Sequence, residues 1–227
     1  MNSSSTYVIT IDGTSSSGKS TISRLLAKKL NFKLLDSGKL YRSAGYIACN
    51  RYPSIEAIRD YDELLSKISL KSNETTLEYE VYYENIMIDP FLYNESVGIA
   101  ASIVSKVPDV RKGMLNLQHS CIKGNGLIAN GRDMGSEVFK EAQLKIYITA
   151  DIGIRARRRF EELISKGEDV IYDDIYNSLK KRDHSDINRD ISPLIVPNNA
   201  HILDTSHVKA DAIVDKILNL YNITSIN

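Results

Sequence analysis

The chain has 227 residues, 42% of them hydrophobic, enough for one large α/β domain carrying small insertions. Lys plus Arg equals Asp plus Glu at 29 each, so no global field points to nucleic acid or a membrane surface as partner. The two cysteines, Cys49 and Cys121, lack metal-ligand spacing, no run of about 18 apolar residues could span a bilayer, and the polar residues 1–6 lack the apolar stretch of a secretion signal; a cytoplasmic protein is expected.

Residues 7–12 read as a buried strand. They lead into Gly13-Thr14-Ser15-Ser16-Ser17-Gly18-Lys19-Ser20, which fits G-x-x-x-x-G-K-[ST], and residues 21–30 then set Ile22, Leu25, Leu26 and Leu30 at helical spacing. In such a strand–loop–helix unit the loop N–H groups and the positive helix end cradle a polyphosphate. Lys19 adds a full charge at the β/γ-phosphates, and the Ser20 hydroxyl is a ligand for Mg²⁺. Residues Gly13 to Thr21 are therefore the expected ATP-binding set: Gly13, Thr14, Ser15, Ser16, Ser17, Gly18, Lys19, Ser20 and Thr21.

A short strand follows at 33–35, ending at Asp36-Ser37-Gly38, and a helix is expected from about 39 to 50. Residues 68–71, 76–83 and 85–89 read as short antiparallel strands, an insertion placed at 67–97 between core segments 1–66 and 98–227. Its Tyr79, Tyr82 and Tyr83 favour strand packing, a nucleobase shelf being the alternative. Helices are expected at 97–106 and 110–122, then a strand at 126–129 ending in Asn130-Gly131-Arg132-Asp133, and another at 144–149. Helices at 152–166 and 172–181, a strand at 201–204 and a helix at 210–221 complete the chain. The alternation predicts a five-stranded parallel sheet with helices on both faces, the small β-rich insertion, and a helical lid at about 160–190. Ligands of such sheets sit outside the carboxyl ends of the strands, where each of these polar clusters falls.

No Asn-Lys-x-Asp segment is present to read guanine. A kinase must hold two anions that repel each other, and Arg42, Arg132, Arg182 and Arg189 are the candidate cations, with Lys19, Arg132 and Arg182 the expected catalytic residues. In the run Arg155, Arg157, Arg158, Arg159, helical spacing puts Arg155 on one face with both Arg158 and Arg159, so the spacing leaves open which of them meets a ligand.

Six segments together resemble the bacterial-type cytidylate kinases of the nucleoside monophosphate kinase group, over about residues 7–218. They are 11–21, 35–42, 100–111, the Gly-Arg-Asp-Met-Gly of 131–135, the R-D-x-x-D-x-x-R of 182–189, and 203–206. The resemblance implies Mg²⁺-dependent transfer of the ATP γ-phosphoryl group to CMP or dCMP. It implies that Ser37, Arg42 and Arg132 grip the acceptor phosphate, with Tyr41 in the same acceptor site, and that Ser102, Arg111 and Asp133 read cytosine. Asp186 would hold the ribose, Arg182 and Arg189 would close from the lid, and Arg158 would contact ATP. Cytosine offers an N4 donor with O2 and N3 as acceptors, which an Asp–Arg–Ser set complements. Kinases of UMP, dTMP or shikimate, and a non-catalytic nucleotide-binding module, are the alternatives. A monomer is expected, with no nucleic-acid or membrane partner. Asn130 departs from the pattern: the family usually carries an acidic residue there, so either Asp12 compensates or metal binding is weaker.

Overall fold

In this computed structural model the described residues are 6–225 except 53, 56, 57 and 59, so the polar residues 1–5 lie outside them. Five strands form the main sheet: β1 (Tyr7–Gly13), β2 (Lys33–Asp36), β6 (Gly126–Asn130), β7 (Leu144–Thr149) and β8 (His201–Asp204), in the order β2-β6-β1-β7-β8. Every pairing in it is parallel. Period-two alternation sorts their side chains. Ile9, Ile11, Ile128 and Ile146 face α1 (Lys19–Leu30) and α8 (Ala210–Ser225), while Val8, Leu127 and Ala129 face α2 (Ser37–Arg51) and α5 (Pro108–His119). The register aligns the strand ends: Ile11 and Asp36 both stand opposite Asn130, Gly13 opposite Ile148, and Thr149 opposite Asp204. The polar residues that follow the strands therefore share one edge.

The insertion is a three-stranded antiparallel sheet of β3 (Ile68–Ser72), β4 (Tyr79–Tyr83) and β5 (Ile86–Met87). β4 starts later than residue 76 because 73–77 form a turn. In it the Asn73 carboxamide accepts from the amides of Thr75 and Thr76 (2.9 and 3.0 Å), and Leu77 takes φ 65°. Tyr79 is buried with its hydroxyl on the Cys121 carbonyl (3.1 Å), so this ring packs. The buried Lys39 ammonium on α2 pins the insertion by donating to the Tyr79 carbonyl (3.0 Å) and to Asp89 (2.7 Å).

The helices α3 (Tyr61–Ser66) and α4 (Glu95–Val104) flank the insertion, so α4 spans the boundary expected at 97/98. α4 lies so close to α2 that a Cβ on Gly45 would stand 2.6 Å from the Ala101 amide nitrogen. α2 itself begins at Ser37, ahead of residue 39, because Asp36 caps it by accepting from the Gly38 amide (3.0 Å).

The segment of about 160–190 expected as a lid falls on α6 (Ile152–Ser165) and α7 (Tyr172–Ile187). They bury Ala156, Leu163, Ile175 and Leu179 in a cluster distinct from the two that flank the sheet. α7 runs past residue 181, where the sequence suggested a stop, so Arg182, Asp183 and Asp186 ride on the helix and only Arg189 lies beyond its end.

Candidate active site

β1 turns into the phosphate loop at Gly13, whose φ is 141° and where a Cβ would sit 1.9 Å from the Ile148 carbonyl oxygen. No other residue fits both constraints. Ser16 and Gly18 also take left-handed backbone (φ 58° and 91°), which turns the loop into the first turn of α1. Ser17 is buried and donates to the Thr14 carbonyl (2.9 Å). The Lys19 ammonium folds back on that same carbonyl and stands 3.5 Å from the Ser17 hydroxyl. Its pKa is held well below the usual range, by burial first and then by the charge of Arg132, with Arg182 adding to it. Arg182 keeps solvent contact, yet desolvation and then Arg132 bring its pKa down to about 10, with Arg42 a further repelling charge. Lys19, Arg42, Arg132 and Arg182 thus crowd positive charge around the loop, a strain that a polyanion relieves.

Beside the loop, Asn130 is buried with its Nδ2 3.3 Å from the Ser20 hydroxyl and its Oδ1 without a hydrogen-bond partner among the described residues. An orphaned amide oxygen next to a hydroxyl suits a hard cation held mainly by phosphate oxygens and water. Among the described residues no group of three or more His, Cys, Asp or Glu converges on a metal position. Asp12 is engaged by backbone amides. Its two oxygens accept the amides of Met134 and Gly135 (both 2.8 Å) and so fold the π-helical turn Met134–Val138 against the end of β1.

Burial pushes the Asp12 pKa up to about 7 against those two amides. A folded-state pKa above the unfolded 3.8 means that unfolding releases a proton between pH 4 and 7. Asp12 therefore makes stability fall as pH rises through that window, by up to about 1.4 kcal/mol per pH unit, and leaves it level above pH 7. Urea unfolding of the protein and of Asp12→Asn at pH 5 and pH 7 should show the larger loss in the unmutated chain. Equal losses would contradict this.

Five of the expected site residues interlock in a chain of charges. Arg111 on α5 pairs with buried Asp133, bonds the Ser105 carbonyl and the Ser192 hydroxyl (both 3.1 Å), and lies over the Tyr41 ring at 5.4 Å. Desolvation pushes the Tyr41 phenol up to about 12. Arg189 stands 3.6 Å from Asp133 and 4.0 Å from Asp186, with its Nη2 buried and without a hydrogen-bond partner among the described residues. Asp186 pairs with Arg132 at 2.6 Å, and Arg132 donates to the Gly13 carbonyl (2.9 Å), which returns the chain to the phosphate loop.

The other residues expected at the acceptor lie around this chain. Ser102 is half-buried on α4, one turn before the Ser105 that Arg111 holds. Arg42 donates to the carbonyls of Leu92 (2.8 Å) and Asn94 (3.3 Å), and burial lowers its pKa. Ser37 is buried with its hydroxyl accepting from Gln118 (2.9 Å).

On the other side of the loop a cavity of about 410 Å³ is lined by Ser17, Gly18, Thr21, Arg158, Thr205 and His207, among others. Arg158 reaches it while bonding the Thr205 hydroxyl (3.1 Å) and carbonyl. The arginines left open by spacing are now separated: Arg158 borders the cavity, Arg155 is buried, and Arg159 pairs with Glu162 on the surface (2.8 Å).

Residues 9–223 match the family model described as cytidylate kinase. The chain is 38% identical over 216 residues to the cytidylate kinase of Vibrio cholerae, covering 95% of this chain and 96% of that one. The chain belongs to the cytidylate kinase family. The cytidylate kinase of Carboxydothermus hydrogenoformans is 35% identical over 93% of this chain and 96% of its own. The bifunctional pantoate ligase/cytidylate kinase of Prochlorococcus marinus is 38% identical, and there the match spans 42% of the relative's length. Among solved structures, an uncharacterized protein from Eubacterium ventriosum shares the fold at a TM-score of 0.52 and 14% identity, over 95% of this chain and 98% of that one. Within this cytidylate kinase chain, sequence reasoning passed over Thr205 as a contact. Its position just beyond the carboxyl end of β8 was the available signal.

Proposed function

We infer that the protein is an ATP-dependent cytidylate kinase that transfers the γ-phosphoryl group of ATP to CMP or dCMP, giving ADP and CDP or dCDP. The observation that carries this reading is the charge chain from Arg111–Asp133 through Arg189, Asp186 and Arg132 to the phosphate loop. It joins a donor–acceptor pair suited to cytosine to a loop suited to triphosphate. ATP would lie with its phosphates in the loop on Lys19 and its nucleoside in the cavity beside Arg158 and Thr21. CMP would lie across the chain. Ser37, Arg42 and Arg132 would hold its phosphate, Asp186 its ribose, and Asp133, Arg111 and Ser102 its base, with Tyr41 backing Arg111. Asp133 Oδ2 takes Arg111, and Oδ1, which no hydrogen bond reaches among the described residues, is left to accept from N4.

Transfer between two docked phosphates needs no covalent enzyme intermediate. The work is positioning and charge neutralisation by Lys19, Arg132 and Arg182, with α6 and α7 closing to exclude water. Mg²⁺ would be held by Ser20 and Asn130 together with phosphate oxygens and water, and would neutralise charge on the phosphates. Asn130→Asp, which restores a carboxylate beside Ser20, should lower the Mg²⁺ concentration for half-maximal turnover several-fold. An unchanged requirement would remove Asn130 from the metal site. Among the described residues no helix is long and apolar enough to cross a membrane. The protein would act as a cytoplasmic monomer on small nucleotides. The function is tested by coupled ADP release from ATP with and without CMP. Release that needs CMP supports it, and ATP binding without acceptor-dependent release would make the chain a nucleotide-binding module instead.

A further inference from the structure

The apolar cluster of α6 and α7 is separate from the two that flank the sheet, so the fixed points of the lid on the phosphate loop are polar. One side chain supplies such a contact and two more, tying α6 to the loop, to the end of β7 and to α7. Arg155, in the first turn of α6, is 4% exposed. Its Nε donates to the Ala150 carbonyl just past β7 (3.0 Å), its Nη1 to the Ser15 carbonyl of the phosphate loop (3.1 Å), and its Nη2 pairs with Asp183 on α7 (2.7 Å). A planar guanidinium fixes three directions at once, which an ammonium on a flexible stem does not. Asp183 follows Arg182 and precedes Asp186 by three residues on the same helix, and its Oδ1 is buried without a hydrogen-bond partner among the described residues. Its carboxylate therefore depends on Arg155.

We propose that Arg155 is a positioning residue that sets the rotation of α7 against the phosphate loop, and through it the aim of Arg182 and Asp186. Neither Arg155 nor Asp183 touches a reacting atom. Their effect passes through the helix: the loop carbonyl that holds Arg155 belongs to the segment that binds the donor phosphates, while Asp186 belongs to the acceptor's side of the site. The reach of Arg182 toward the phosphates is thereby tied to the loop's own geometry. A displacement of about 1 Å at such a group lowers turnover by up to ~100-fold.

The proposal rests on the cytidylate kinase reading for its turnover readout, so the experiment carries a second readout that does not. Breaking one partner of a buried pair endangers folding, whereas replacing both with apolar residues of similar volume preserves it. The test therefore compares the unmutated protein with the double variant Arg155→Met/Asp183→Leu and with the milder Arg155→Lys. Amide hydrogen exchange is followed in α7 and in β1 without nucleotide, and kcat and KM are measured with ATP and CMP. The expected result is faster exchange confined to residues 182–187 with β1 unchanged, together with a kcat ~10- to 100-fold lower in the double variant. Wild-type exchange in α7 in both variants, or a double variant with wild-type kcat, would overturn the proposal. Absence of CMP-dependent turnover in the unmutated protein would count against the function alone and leave the exchange comparison decisive.

Discussion

Lys19→Ala is expected to lower kcat by ~100-fold or more while leaving the fold intact, as read by steady-state ADP release and by thermal unfolding. The cost is high because the charge is built into a site that already opposes it. Burial, Arg132 and Arg182 all hold the Lys19 pKa down in the free protein, and an arriving polyphosphate offsets that opposition. The fold should survive because the ammonium leans on the Thr14 carbonyl and the Ser17 hydroxyl and is paired with no carboxylate among the described residues. Its removal leaves no buried acid without a partner. A variant that keeps kcat within a few-fold would contradict the placement of Lys19 at the transferred phosphoryl group. A variant that fails to fold would contradict its independence from the core.

The second large effect concerns selectivity. Uracil presents an acceptor where cytosine presents its N4 donor, so UMP would set two acceptors against each other at Asp133. A mismatch of that kind costs about 1–3 kcal/mol, or roughly 5- to 150-fold in kcat/KM. Asp133→Asn, which can turn a donor toward O4, should collapse the CMP/UMP ratio by that factor. Asp133 is also the buried partner of Arg111, so the variant should be less stable by about 3–5 kcal/mol. The ratio separates the two effects, because both substrates are measured on the same folded fraction. An unchanged ratio in a folded variant would remove Asp133 from base reading.

The main sheet was legible because its strands are short apolar runs between glycine-rich and polar stops, and each lies near where periodicity put it. The phosphate loop was legible for a stronger reason, since Gly13 and Gly18 occupy backbone that other residues rarely adopt. Local pattern failed where tertiary contacts set the boundary. Residues 182–187 read as a polar segment, yet α7 continues through them because Asp183 is held by Arg155 and Asp186 by Arg132, partners far away in sequence. Arg182 and Asp186 at helical spacing were the signal that the helix went on. The arginine run 155–159 could not be resolved from spacing, because burial separates three residues that share one helical face. The π-helical turn after Asp133 was hidden for the same reason: it forms on Asp12, which stands more than a hundred residues earlier in the chain. Family resemblance supplied what periodicity could not, namely an assignment of the arginines to acceptor and donor.

The central claim is that this chain moves a phosphoryl group selectively to a cytosine nucleotide. The most direct test ranks kcat/KM for CMP, dCMP, UMP, AMP, GMP and dTMP at saturating ATP and Mg²⁺. The account predicts CMP and dCMP at the top, ahead of UMP by at least ~5-fold. Parity between CMP and UMP, or another acceptor in first place, would contradict it and dissolve the assignment of Ser102, Arg111 and Asp133.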